Sequence, residues 1–197
     1  AMLTPYLPST QKIKTLLEQG VIGKVLEYKG VFANDLMHVE RVVTKSLGGG
    51  ALLDIGIYPL QFAFSLFGHT YELQNIKIQT YHEIDQSTAF TLEFSSGVKA
   101  HIYTSIHENL GIYCEIIGTK GRMFVENVAR PSAIHIYDAN DVLQQSFEDI
   151  RNTSGYEYEF LATVDAIYSN QLENAYMRHQ DSIYLMDCMD QVLKSIR

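Results

Sequence analysis

One change of rhythm constrains this 197-residue chain more than any other feature. Apolar residues recur at helical spacing near both ends and at period two through the middle. Ile76–Tyr81, Ser87–Phe94 and Val98–Ile106 alternate as consecutive strands, the last two joined by the tight turn Ser95-Ser96-Gly97. Tyr113–Ile117 and Arg122–Val125 pair around Gly118-Thr119-Lys120-Gly121. Ala133–Tyr137 and Val142–Phe147 pair around Asp138-Ala139-Asn140-Asp141. Ahead of this block, Ser9–Gly20 predicts a helix with Ser9 as N-cap and Ile13, Leu16 and Leu17 as its stripe. A strand over Val25–Ala33 follows, then a polar loop from Asp35 to Gly50 and a buried helix over Leu52–Phe67. Behind the block, Tyr156–Tyr168 carries Phe160, Val164 and Ile167 on one side. His179–Ile196 carries Ile183, Met186, Met189 and Val192, and the stripe of Tyr184, Met186 and Met189 reads as core packing. Segregated blocks of this kind mean α+β: a large, mostly antiparallel open sheet with helices on one face. An uncovered apolar face would be an interface, so a homo-oligomer through the sheet is expected.

Charge narrows the partners. The net charge is −8, and Lys12 with Lys14 is the densest basic cluster. Nucleic acid is therefore not an expected partner, since phosphate binding needs clustered Lys and Arg. No apolar run approaches the ~20 residues of a bilayer span, so no membrane partner is expected. Cys114 and Cys188 form no Cys-x-x-Cys pair and read as buried thiols of a cytoplasmic protein. His101, His107 and His135 fall on strands with no carboxylate at ligand spacing, so no metal is expected.

The chemistry concentrates in Gly48-Gly49-Gly50-Ala51-Leu52-Leu53-Asp54-Ile55-Gly56-Ile57-Tyr58-Pro59-Leu60-Gln61. Three glycines let the backbone approach another surface and enter a helix sharply. Asp54 and Tyr58 are four apart, hence on one helical face, and Gln61 continues it. A carboxylate beside a phenol in apolar surroundings can move a proton. The same residues also fit a structural role, with Asp54 favouring the helix dipole and Tyr58 packing in the core. Pro59 excludes a plain helix interior around Tyr58. His38 and Arg41, in the loop before the glycines, could contact a polyhydroxylated substrate or stand in solvent. Tyr6 could line the same cleft.

That stretch resembles the signature Gly-Gly-Gly-x-Leu-x-Asp-x-Gly-x-His/Tyr of the glucose–fructose oxidoreductase, inositol dehydrogenase and rhizopine-catabolism (Gfo/Idh/MocA) family. The tyrosine version is most similar to the branch of glucose–fructose oxidoreductase and dimeric dihydrodiol dehydrogenase. The resemblance continues along the chain: Met2–Pro8 is similar to the strand leaving the family's nucleotide-binding domain. Leu16-Leu17-x-x-Gly20-x-Ile22-Gly23, Ile117–Gly121 and the two closing helices follow in the family's order.

The resemblance implies a glyceraldehyde-3-phosphate-dehydrogenase-like C-terminal domain. Residues 1–8 would be the end of the inter-domain strand and 9–197 the substrate-binding and oligomerisation domain. It implies Tyr58 as acid/base on the substrate oxygen and Asp54 as its partner. Tyr6, His38, Arg41 and Gln61 would contact a sugar, polyol or diol. NAD or NADP would bind a Rossmann domain outside this chain, because no Gly-x-Gly-x-x-Gly or Glu-Lys-Pro motif occurs here. Gln61 stands near where many members carry Asp or Asn. A free tyrosine titrates near pH ~10 and is a poor base at neutrality. The lysine and nicotinamide charges that would favour its ionised form lie in the missing domain, so the chain alone is expected to be inactive and to bind no cofactor. The alternative is a standalone ligand-binding or oligomerisation module; codons for a Rossmann domain upstream would exclude it.

Overall fold

A computed structural model describes residues 2–148 and 154–194. After a 3-10 turn at Thr4–Tyr6 come α1 (Pro8–Glu18), β1 (Val25–Ala33), α2 (Glu40–Val43) and α3 (Ile57–Phe67). Seven strands follow: β2 (Tyr71–Tyr81), β3 (Ile84–Phe94), β4 (Lys99–Ser105), β5 (Gly111–Gly118), β6 (Gly121–Glu126), β7 (Ala133–Asp138) and β8 (Leu143–Glu148). Two helices close the chain, α4 (Tyr156–Tyr168) and α5 (His179–Leu193). One eight-stranded sheet runs in the order β2-β3-β4-β1-β5-β6-β7-β8. The α+β expectation holds, with one exception to antiparallel pairing: β1 runs parallel to β4 and antiparallel to β5.

Alternation along the strands sorts the side chains. Tyr28, Phe90, Leu92, Ala100, Ile102, Cys114, Ile116, Met123, Val125, Ile134 and Ile136 join α1, α3 and α5 in one core. The opposite face, which no described helix covers, is not the apolar face expected. It carries a ladder of Tyr113, Phe124 and His135, with Arg122 over Tyr137 at 4.0 Å. Charged pairs cross it, Lys29 to Glu115 at 3.5 Å and Arg122 to Glu115 at 3.1 Å. The thiols of Cys114 and Cys188 are free and buried, as expected.

Several boundaries move, each for a physical reason. Helix α1 starts at Pro8 with Leu7 as N-cap, because proline's fixed φ and missing N–H suit the first helical position. The loop over 35–50 holds α2 and a 3-10 turn. Strand β2 begins at Tyr71, and a hairpin at His82 and Glu83, which carries no glycine, joins it to β3. Lys45–Phe67 matches a membrane span by length and composition, yet most of its apolar window is buried inside the fold. Its last part, α3, packs Leu60, Phe62 and Phe64 against the sheet. The stripe of Phe160, Val164 and Ile167 on α4 is exposed. On α5 only Met189 and Val192 of the expected stripe are buried, while Ile183, Tyr184 and Met186 are open. The end of that helix as expected, at Ile196, lies outside the described residues.

Candidate active site

The expected helix over Leu52–Phe67 is two pieces. Leu52–Gly56 is wound as a π turn, and α3 follows with Pro59 in its first turn. Pro59 follows directly on the π turn, whose wider winding already breaks the i to i−4 ladder that a proline would otherwise interrupt. π turns interrupt helices rarely and tend to mark functional sites. The glycine run does what three small residues permit. The N–H groups of Gly48, Gly49 and Gly50 bond to the carbonyls of Lys45, Thr44 and Val42 at 3.0, 3.0 and 2.9 Å. A Cβ on Gly49 would stand 2.5 Å from the Val42 oxygen. The run is thus folded back on α2. Its three donors are spent within the loop itself.

That fold-back brings Arg41 to the site. Val42 is buried with Ala51, Ile55, Ile84 and Ile106 in a second small cluster. Its neighbour Arg41 is left pointing at the helix head, where Nη2 meets Asp54 Oδ1 at 2.6 Å. The Asp54 side chain is 14% exposed and that of Arg41 57%. Tyr58 lies beside Asp54 with its ring 5.8 Å from that of Phe32 on β1. Both residues stand between two hollows. One, of about 380 Å³, is lined by Arg41, Asp54 and Tyr58 together with Phe32, Ile112, Asn127, Arg130 and Tyr156. The other, of about 330 Å³, is lined by Met2, Leu53, Ile57, Met177 and Met186 on the far side of the same pair.

The remaining candidates are placed elsewhere. Gln61 is 4% exposed, and its Oε1 has no hydrogen-bond partner. It borders a separate hollow of about 230 Å³ with Lys14, His69, Arg178 and Asp181. Burial lowers the pKa of Lys14 there, and that of His69 despite the Asp181 carboxylate. Tyr6 is buried with its ring 5.4 Å from that of Tyr176 and its hydroxyl donating to Asn174 Oδ1 at 3.2 Å. His38 is exposed and lines neither hollow beside Tyr58. His101 bonds Thr91, His107 bonds Ser105 and His135 bonds Ser146; no metal-binding group occurs among the described residues. The sequence reading missed Asn127, Arg130 and Tyr156 as cleft residues. Their signal was weak: a β6–β7 turn with Asn127 at φ 57°, and an arginine that donates to the Tyr156 hydroxyl at 2.7 Å.

Comparison with known proteins bears on the family and the fold. The chain is 28% identical over 210 residues to a trans-1,2-dihydrobenzene-1,2-diol dehydrogenase of Danio rerio, covering all of this chain and 61% of that protein. To the Homo sapiens protein of the same name it is 27% identical over 203 residues, again covering the whole chain and 61% of the relative. The chain thus spans about three fifths of the length of these relatives. Two solved structures share the fold. A 3-ketoreductase from Actinomadura kijaniata, in complex with NADP and TDP-benzene, superposes with a TM-score of 0.86 at 21% identity, over 98% of this chain and 60% of that one. An aldose–aldose oxidoreductase from Caulobacter crescentus, complexed with glycerol, gives 0.85 at 18% identity, over 99% and 60%. The pattern of the GFO/IDH/MocA C-terminal domain matches residues 10–124, a span that holds the glycine run, Asp54 and Tyr58. By that match the chain belongs to the GFO/IDH/MocA family and is its C-terminal domain.

Proposed function

We propose that this chain is the substrate-binding and assembly domain of an NAD(P)-dependent oxidoreductase acting on CH–OH groups of sugars, polyols or diols. It acts only together with a nucleotide-binding domain. The observation that carries the reading is the common placement of Asp54 and Tyr58 on one cleft wall, with Arg41 paired to the carboxylate. The diol dehydrogenases among the relatives and the NADP-bound structural neighbour support the same chemistry.

In this reading the substrate hydroxyl lies against the Tyr58 oxygen. That oxygen takes the hydroxyl proton as the carbonyl forms, and returns it in the reverse direction. Asp54 accepts a hydrogen bond from a neighbouring substrate hydroxyl, and Arg41 keeps the carboxylate turned into the cleft. Phe32 and Ile112 line the wall and exclude water from the reacting carbon. The nicotinamide supplies the hydride acceptor or donor. It belongs on the second domain, because the glycine run here has no free donors for its phosphates. A lysine of that domain would favour the ionised tyrosine. The uncovered sheet face, with its aromatic ladder and paired charges, is where two copies would meet.

Tyr58→Phe in the protein bearing its nucleotide-binding domain tests this. It should lower kcat by roughly 10²–10⁴-fold with little change in KM, as expected for loss of a general acid/base. Full activity in that variant would remove Tyr58 from the chemistry. Cofactor-dependent turnover by residues 1–197 alone would refute the need for a second domain.

A further inference from the structure

The segment that carries Asp54 and Tyr58 starts awkwardly. Gly50 has φ 123°, the next turn is π-wound, and no side chain of its own caps it. The missing acceptor comes from the sheet. Asp85 on β3 is 2% exposed, and its Oδ2 accepts the Leu52 N–H at 2.8 Å and the Thr88 hydroxyl at 2.7 Å. Its Oδ1 fills the space beside Gly50, where a Cβ would lie 2.3 Å away. Two more side chains reach the same segment. Thr104 on β4 donates to the Ala51 carbonyl at 3.2 Å, and Tyr28 on β1 donates to the Pro59 carbonyl at 3.0 Å. Three strands thus each hold one backbone group of residues 51–59.

Asp85 differs from the other two in carrying a carboxyl group. Burying one is unfavourable unless its oxygens are hydrogen-bonded, and packing alone would be served better by an apolar side chain. Burial raises its pKa, and the bonds from Thr88 and Leu52 draw it back. What the group supplies that an apolar side chain cannot is a fixed acceptor at the first free N–H groups of the helix head. A one-residue slip of that head would rotate Tyr58 by about 100° around the helix axis, away from Phe32 and the cleft.

We propose that Asp85 is a positioning residue for Asp54 and Tyr58: it pins the start of the helix head to β3 and so sets where both side chains stand in the cleft. This rests on reading Asp54 and Tyr58 as the pair that handles the substrate.

Two measurements separate the anchor from that reading. The first is amide exchange by mass spectrometry on this chain. Asp85→Ala should speed exchange over residues 52–59 by about tenfold or more and leave β5 to β7 unchanged. Asp85→Asn, which keeps an acceptor toward Leu52, should restore most of the protection. The second is turnover of a sugar or diol by the protein bearing its nucleotide-binding domain. There Asp85→Ala should lower kcat by ~10–100-fold, the scale of a small misplacement of reacting groups, with KM nearly constant and recovery in Asp85→Asn.

Unchanged exchange over 52–59 in Asp85→Ala would overturn the anchor. Faster exchange with unchanged kcat would overturn the positioning role. If Asp85→Ala unfolds the chain, Thr88→Val carries the exchange test: loosening confined to 52–59 supports the proposal, and global or no loosening overturns it. If the wild-type protein turns over no sugar or diol, the reading of the site fails, and exchange over 52–59 still decides the anchor.

Discussion

Helices α3 and α4 are similar in length, 11 and 13 residues, and both have apolar sequences, yet their surroundings are opposite. Helix α3 buries every residue from Pro59 to Phe64, whereas α4 buries Ala166 alone. On α4, Phe160 is 72% exposed, Ile167 66% and Tyr168 84%. The difference lies in what each helix meets. Helix α3 crosses the middle of the sheet over β1 and β4, where large side chains from the strands close around it. Helix α4 meets little of the described chain beyond the N-terminal turn. Contiguous exposed apolar patches mark contact surfaces. One helix is therefore held by its own sheet and carries Tyr58, and the other leaves its apolar stripe exposed.

Substitutions can sharpen or break that contrast. The largest effect belongs to the centre of α3. Phe62 is fully buried beside Tyr28, so Phe62→Ala should destabilise the chain by about 3–5 kcal/mol in denaturant melts. A loss within about 0.5 kcal/mol would mean that α3 is not the core helix, since that is the range of surface changes. Next comes the hydrogen bond that ties Tyr58's neighbour to β1. Tyr28→Phe keeps the ring and leaves the Pro59 carbonyl without its donor, at a cost of about 1 kcal/mol.

A smaller effect should appear in the pH dependence of folding. Burial raises the Asp85 pKa above its unfolded value of about 3.9, so the native chain holds this proton more tightly than the unfolded chain. Stability from this group is greatest below the unfolded pKa and is lost as pH rises through the folded pKa. The melting temperature of wild type relative to Asp85→Asn should therefore fall across that window and then level. Parallel curves would remove the charge effect. The smallest effect belongs to α4. Phe160→Glu should change the stability of this chain by no more than about 0.5 kcal/mol in denaturant melts. A loss comparable to Phe62→Ala would show that α4 is packed after all.

What could be read in the sequence follows the range of the interactions involved. Asp54 and Tyr58 are legible because a spacing of four keeps two side chains on one face, even where the winding changes between them. The hairpins at Ser95–Gly97 and Gly118–Gly121 are legible because the turn residues sit inside them. Arg41 is legible only as part of a loop. Its bond to Asp54 depends on Val42 sinking into the cluster with Ile55, Ile84 and Ile106. Asp85 carries no local sign of its role, since the helix start it caps lies 33 residues away. Parallel pairing of β1 with β4 is invisible for the same reason. The stripe on α4 marks a helix correctly but not its burial, because burial depends on groups the stripe does not contain.

The position of β1 has a consequence for how the chain reaches this state. It is the first strand in sequence but sits inside the sheet, with Glu27 opposite Lys99 on one side and Val25 opposite Gly118 on the other. During synthesis β1 and the helix head leave the ribosome well before either neighbour. Both edges of β1, and the underside of α3, stay open until β4 and β5 arrive. Contacts so distant in sequence make the closing of the sheet slow, and open edges invite pairing with other chains meanwhile. The wall that carries Asp54 and Tyr58 is thus made early and locked late, and recovery of soluble protein should respond to chaperones and low temperature more than its final stability suggests.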